Sequence, residues 1–411
     1  MADIRPVVID LAGTDIHAEG ERLRMLGPVA QAELPGGVIA WSVTGYEAGK
    51  QILSDSRFSK DARQHWTAFL NGEISPDFPL IGWALMENLS TTYGNAHSRL
   101  RRLVAKAFTP RRVEAMRPAI EGLVAKLLAS LGSYDPSAPT DLKAEFAHPL
   151  AAEVIFDLIG VPERARATIL RGGEAQVDTT LTPEEIAASV GQVIQEMSAL
   201  VDAKRQEPAD DLTTDLLAAR EADGSQLSDA EMVHTLLLLL GTGTEPATNL
   251  ITNTVFALLS NPGQLESIRT GQASWHDAIE ETLRLEAPVA HLPFRFAVED
   301  VEVDSITIHA GDPVLINFAA IGRDPAVHGS SASSFEVMRP DKEHLSFGYG
   351  MYRCIGMPLG RMEAEIAVPA LFARYPELSL AVPSRDVKPQ GTFIMNGRRE
   401  LPVCTTGQRL V

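Results

Sequence analysis

Residues Phe347 to Gly356 read Phe-Gly-Tyr-Gly-Met-Tyr-Arg-Cys-Ile-Gly, which sets Cys354 on a loop hinged by glycines at 348, 350 and 356. Glycine tolerates positive φ and lets backbone approach closely. The segment can therefore wrap a flat group and aim amide N–H groups at the sulfur. A thiolate held in this way is a metal ligand. The plainer alternative is a glycine-rich turn around a packed cysteine.

The rest of the chain must carry that loop. No Pro/Gly/Ser-rich linker, repeat or low-complexity tract divides the 411 residues, so one domain spanning 1–411 is expected. Hydrophobic residues make up 45% and charged residues 22%, which suits a globular core. The start Met-Ala-Asp-Ile-Arg-Pro lacks a basic stretch followed by an apolar one, so it does not read as a signal peptide. The longest leucine run, Leu236–Leu240, is far short of a membrane span. Two cysteines, at 354 and 404, cannot make a disulfide framework, and a working thiolate suits a reducing compartment. These readings predict a cytoplasmic protein without a membrane partner.

A net charge of −18 argues against a nucleic-acid partner. Against that background, His97 to Val113 holds Arg99, Arg101, Arg102, Lys106, Arg111 and Arg112 with no acid. Such a run is either a solvated helix face or a positive patch that steers a small acidic partner.

Helical signals dominate. Thr109-Pro110 is a cap followed by a first-turn proline, and Val113–Leu131 has apolar residues at three- and four-residue spacing. Leu181-Thr182-Pro183-Glu184-Glu185 starts another helix with acids in its first turn. Ser228-Asp229-Ala230-Glu231 opens a helix that runs to about Leu259, where Asn261-Pro262 stops it. Between 290 and 320 the pattern turns to short strands: Phe296-Ala-Val, Val301-Glu-Val, Ile306-Thr-Ile and Val314-Leu-Ile-Asn. The expected fold class is mainly α with a small β-rich portion.

The cysteine loop is similar to the haem-binding loop of the cytochrome P450 family. The likeness extends from Gly27-Pro28-Val29 and Ser59-Lys60-Asp61 through the basic segment and the long helix, and resembles actinobacterial members of specialised metabolism most. It implies a haem b ligated by Cys354, whose thiolate pushes electron density onto the iron, with Phe347 and Gly348 in the same loop. It implies that electrons come from NAD(P)H by way of a ferredoxin and its reductase, docking at the basic segment Arg99–Arg112. His97 and Arg101, one helical turn apart, look like the family's propionate-binding pair, with Arg295 a third position and His344 in pattern nearby. Two residues before the cysteine the family usually has His or Arg, and here Tyr352 stands instead. Arg353 either offsets that lost charge or tunes the iron. Glu281 and Arg284, three apart on one face, with Arg339, resemble a buried structural triad; alone, such a pair is usually surface decoration.

The long helix departs from the family pattern. In Gly241-Thr242-Gly243-Thr244-Glu245-Pro246-Ala247, alignment on Gly243 and Glu245 puts Pro246 where a threonine hydroxyl usually helps deliver protons during oxygen activation. Proline has no hydroxyl, and its missing N–H predicts a kink. Either Pro246 only fixes geometry, with water, Thr242, Thr244 or Thr248 relaying protons, or the enzyme relies less on such a relay. The second alternative fits radical coupling without oxygen insertion.

Apolar residues in segments 64–90, 172–182, 289–292 and 392–396, with Leu239 and Thr242, suit a hydrophobic or aromatic ligand. Met86, Leu239, Val289, Leu292, Phe393 and Met395 are the candidate pocket residues, beside Trp66, Phe69 and Trp83. Each taken singly also suits plain core. The readings are an oxidase of an aromatic small molecule, a hydroxylase of a steroid or macrolide-like substrate, and a haem protein without turnover. Cys404 reads as packing.

Overall fold

The computed structural model describes residues 5–132, 138–175 and 183–406. It divides into two compact units. The first comprises Met1–Leu85, Val124–Ala147 and Pro246–Val411; the second comprises Met86–Leu123 and His148–Glu245. The division falls inside the long helix Asp229–Ser260.

The first unit holds the sheets. Its six-stranded sheet runs in the order Val7–Val8, Val29–Leu34, Val38–Val43, Pro313–Asn317, His291–Ala297, Phe58–Ser59. The two central partners, Val38–Val43 and Pro313–Asn317, are parallel, with Trp41 opposite Val314. At the far edge Phe58 and Ser59 pair antiparallel with Ala297 and Phe296. Val43, Phe58, Val314 and Ile316 pack one core cluster, while Trp66, Phe78, Phe294, Phe296 and Phe393 pack another. The expected strands at 301–303 and 306–308 form a hairpin. The amino-terminal half of the large sheet was not legible in the sequence.

The second unit is helical. Gly94–Ala107 carries the basic segment, and His148–Ile159 is almost wholly buried along its length. Thr109 caps Pro110–Ala115 by accepting from the Arg112 N–H at 3.2 Å. The helix expected over Val113–Leu131 is broken at Met116, and a new one starts at Arg117. Pro118 explains the break, since it has no N–H to continue the ladder and suits the first turn of a new helix. Ser228 and Glu231 exchange hydrogen bonds at the start of the long helix, as expected. The helix begun at Pro183 runs to Gln206; Leu181 and Thr182, with the rest of 176–182, lie outside the described residues. Among the described residues no helix is long and apolar enough to cross a membrane.

Candidate active site

Backbone geometry builds the cysteine loop. Gly348 and Gly350 have φ of +70° and +68°, where a side chain is strained. At Gly350 a Cβ would also lie 2.6 Å from the Leu53 carbonyl oxygen. The Cys354 N–H donates to the Phe347 carbonyl at 2.8 Å and the Gly348 N–H to Leu345 at 2.7 Å, closing the loop on itself. Gly356 differs from the expectation: its φ is −80°, and it caps the helix Met357–Arg374. Cys354 therefore sits just ahead of an 18-residue helix, whose amino-terminal partial charge favours a thiolate. Cys354 is exposed, whereas Cys404 is buried and burial raises its thiol pKa.

Two cations are buried beside this loop. Arg295 is 2% exposed and Lys60 5%. The pairing of Phe58–Ser59 with His291–Ala297 brings them together, because Lys60 follows Ser59 and Arg295 precedes Phe296. Both flank one ring: the Arg295 guanidinium carbon lies 5.0 Å and the Lys60 Nζ 6.0 Å from the Tyr352 centroid. Burial lowers the Arg295 pKa to about 10. Burial, reinforced by the like charge of Arg295, lowers that of Lys60 to about 7. The buried Arg295 Nε has no hydrogen-bond partner among the described residues. Asp61, the nearest acid in sequence, is engaged by Arg63 and Gln64. Arg353 is exposed and its guanidinium donates to Met357 Sδ at 3.2 Å.

Glu281, Arg284 and Arg339 do come together. Arg284 donates two hydrogen bonds to Glu281, at 2.7 and 2.8 Å, and Arg339 donates one at 3.2 Å. Glu281 and Arg284 are wholly buried and Arg339 is 7% exposed. His344 is held inside the protein: its Nδ1 accepts from the Ser346 N–H at 3.2 Å and its Nε2 meets Glu280 at 3.3 Å. These contacts brace the loop. Arg361 donates to Glu280 at 2.6 and 2.9 Å and stacks on Phe347 at 4.8 Å.

Although burial alone would raise it, hydrogen bonds from His344 and Arg361 carry the Glu280 pKa from the usual 4.5 down to about 2. A depressed carboxylate stabilises the fold above its unfolded pKa, and that stability is lost as pH falls through the folded value. The loss belongs to the window from about 4.5 to about 2. Glu280→Gln is expected to flatten the acid limb of a stability–pH curve there. An unchanged slope in urea unfolding across that window would sink the assignment.

In the second unit His97 and Arg101 lie one turn apart on Gly94–Ala107, with His97 buried. The basic segment is less bare than its sequence: Arg99 pairs with Glu231, Arg102 and Lys106 with Glu221, and Arg112 with Asp210 and Asp215. The long helix runs through Pro246 without a break. Thr242 donates its hydroxyl to the Leu238 carbonyl at 2.6 Å and Thr244 to Leu240 at 3.0 Å. Gly243 has a packing reason: a Cβ there would meet Ile155 Cδ1 at 2.3 Å. Glu245 is half-buried.

Among the candidate pocket residues, Val289 and Met395 pair in an isolated β-bridge and Leu292 packs partly buried near them. Met86 is 38% and Leu239 8% exposed, both in the second unit. Phe393 and Trp66 are buried in the aromatic core cluster, at 3% and 1% exposure.

A family model described as Cytochrome P450 matches residues 276–397. The 2-hydroxy-5-methyl-1-naphthoate 7-hydroxylase of Streptomyces carzinostaticus is 46% identical over 98% of this chain and 98% of its own. The chain belongs to the cytochrome P450 family. The solved structure of CYP154A1 from Streptomyces coelicolor A3(2) superposes with a TM-score of 0.89 at 43% identity, covering 97% of this chain and 100% of that one. CYP154C4 from Streptomyces sp. W2061 gives 0.93 at 39%, covering 99% and 100%.

P450s carry a thiolate-ligated haem b, and the residues present fit it. Cys354 offers the sulfur on a folded loop ahead of a helix. Haem also brings two carboxylates, and a buried Arg295 whose Nε has no hydrogen-bond partner among the described residues is a group that an anion satisfies. Lys60 was not singled out in the sequence. It stood in Ser59-Lys60-Asp61, one of the segments that carry the likeness, but no role could be read for it before the strand Phe58–Ser59 pairs.

Proposed function

We propose that this P450 hydroxylates a fused or substituted aromatic small molecule of specialised metabolism. The observation that carries this reading is the 46% identity, over nearly all of both chains, to a naphthoate hydroxylase. The half-buried apolar side chains Val289, Leu292 and Met395 suit a flat apolar substrate. Held by Cys354, the haem supplies reductive activation of dioxygen and the oxidising power for the substrate. The chain's own part is to keep Cys354 ionised and the loop rigid, through the helix behind it and the Glu280–His344–Arg361 brace. The test is a titration of the ferric protein, followed by haem absorbance, with substituted naphthoates beside steroids and macrolides. A spin-state shift confined to the aromatic set is expected; one confined to steroids or macrolides would overturn the reading.

Pro246 supports a second reading, radical coupling without oxygen insertion. It removes the hydroxyl at its position, and the hydroxyls of Thr242 and Thr244 already donate to the helix backbone. A proton relay through either requires that bond to open. Turnover under isotopically labelled dioxygen separates the two reactions: hydroxylation puts label in the product, coupling puts none. Under the hydroxylation reading, Pro246→Thr is expected to raise product formed per NAD(P)H consumed by a few-fold.

Electrons are proposed to arrive from NAD(P)H through a ferredoxin and its reductase in the cytoplasm, with 1–411 acting as one catalytic domain. The docking surface is proposed at Arg99–Arg112. Because four of its six cations already face acids, exposed Arg111 is the sharpest probe. Arg111→Glu is expected to slow reduction by a ferredoxin several-fold at low salt and to blunt its salt dependence. Unchanged reduction kinetics would move the docking site elsewhere.

A further inference from the structure

Two like charges buried together without a counter-ion are costly unless something anionic completes them. Lys60 and Arg295 are such a pair. They are 5% and 2% exposed, flank the same Tyr352 ring at 6.0 and 5.0 Å, and the Tyr352 phenol, on Arg295, is the one acidic group that acts on the pair among the described residues. Ring faces attract cations, but a cation–π contact offsets only about 2 kcal/mol of desolvation. Tyr352 itself contributes no charge. Asp61 is turned to Arg63 and Gln64, and Arg353 is turned to Met357. The pairing of Ser59 with Phe296 sets Lys60 beside Arg295 at the edge of the sheet.

We propose that Lys60 binds a haem propionate, so that one carboxylate bridges Lys60 and Arg295 beside Tyr352. The arrangement divides the work between charge types. The planar guanidinium of Arg295 fixes orientation, while the ammonium of Lys60 is a compact charge with three rotatable donors that follows the carboxylate. Lys60 thus supplies, from a strand edge remote in sequence, the second cation that Tyr352 withholds.

The test follows haem loss from the full-length, haem-loaded protein into excess apomyoglobin, for wild type, Lys60→Met and Lys60→Arg. Each is loaded either with haem or with haem dimethyl ester, which has no carboxylates. Far-UV circular dichroism checks that each variant is folded. Losing one charge-assisted hydrogen bond predicts that Lys60→Met releases ordinary haem at least about tenfold faster. Lys60→Arg is expected to stay close to wild type. With the dimethyl ester, wild type and Lys60→Met are expected to release at equal rates. A smaller gap with ordinary haem overturns the proposal. So does a gap that survives esterification, which would make Lys60 a packing residue of the strand edge.

Discussion

Replacing Arg284 with alanine is expected to cost about 3–5 kcal/mol and to empty much of the protein of haem. The side chain makes five hydrogen bonds. Two go to Glu281, at 2.7 and 2.8 Å, and three to the carbonyls of Gly322, Ala332 and Ser334, at 2.7, 2.7 and 2.8 Å. The guanidinium thus ties the helix Trp275–Leu285 to the segment that precedes the cysteine loop. Truncation leaves Glu281 wholly buried with only Arg339 at 3.2 Å and the Glu336 N–H at 2.9 Å. Three carbonyls lose a donor in the same step, and a water-filled gap satisfies them poorly. Since domains are stable by only about 5–15 kcal/mol, this loss is a large share of the whole. Urea unfolding of the haem-loaded protein measures it. Arg284→Lys keeps the charge but not the fork, and is expected to recover only part of the loss. Full haem occupancy and unchanged unfolding in Arg284→Ala would show the triad to be dispensable.

The triad was legible through the family likeness: Glu281 and Arg284 sit three apart on one helix, a spacing that alone usually marks surface decoration, and Arg339 comes in a short recognisable segment. The cysteine loop was legible because its signal is local, down to the positive φ at Gly348 and Gly350. Gly356 was misread, because a glycine that caps a helix and one that reverses a turn look alike in sequence. What escaped depends on distant partners. Val29–Leu34 and Val38–Val43 have short-strand patterns, but their place beside Pro313–Asn317 is set by a parallel pairing across more than half the chain. Lys60 is unremarkable until Ser59 pairs with Phe296 and closes water away from it. The basic segment looked bare because its acids, Glu221 and Glu231, lie on other elements more than a hundred residues later. His344 was in the family pattern, but its partner Glu280 lies on a separate helix and could not be named from the loop alone.

Cys354→Ser is expected to abolish substrate oxidation while leaving the fold in place. The substitution changes one atom on an exposed side chain, and the loop's own bonds, from Cys354 N–H to Phe347 and from Gly348 N–H to Leu345, run through backbone. Far-UV circular dichroism should therefore be unchanged. What is lost is the soft anionic ligand. A thiol near a helix amino terminus ionises readily, whereas a serine hydroxyl stays protonated at neutral pH and cannot push electron density onto the iron as a thiolate does. The reduced protein under carbon monoxide is expected to lose the long-wavelength absorbance band that thiolate ligation produces. Cys404→Ser is the control. Cys404 is 1% exposed at the end of the strand Pro402–Cys404, so its replacement is expected to cost about 1–2 kcal/mol of stability and to leave the band intact. If Cys354→Ser kept the band, or if Cys404→Ser removed it, the assignment of Cys354 as the axial ligand would fall, and with it the reading of residues 347–356 as the centre of the active site.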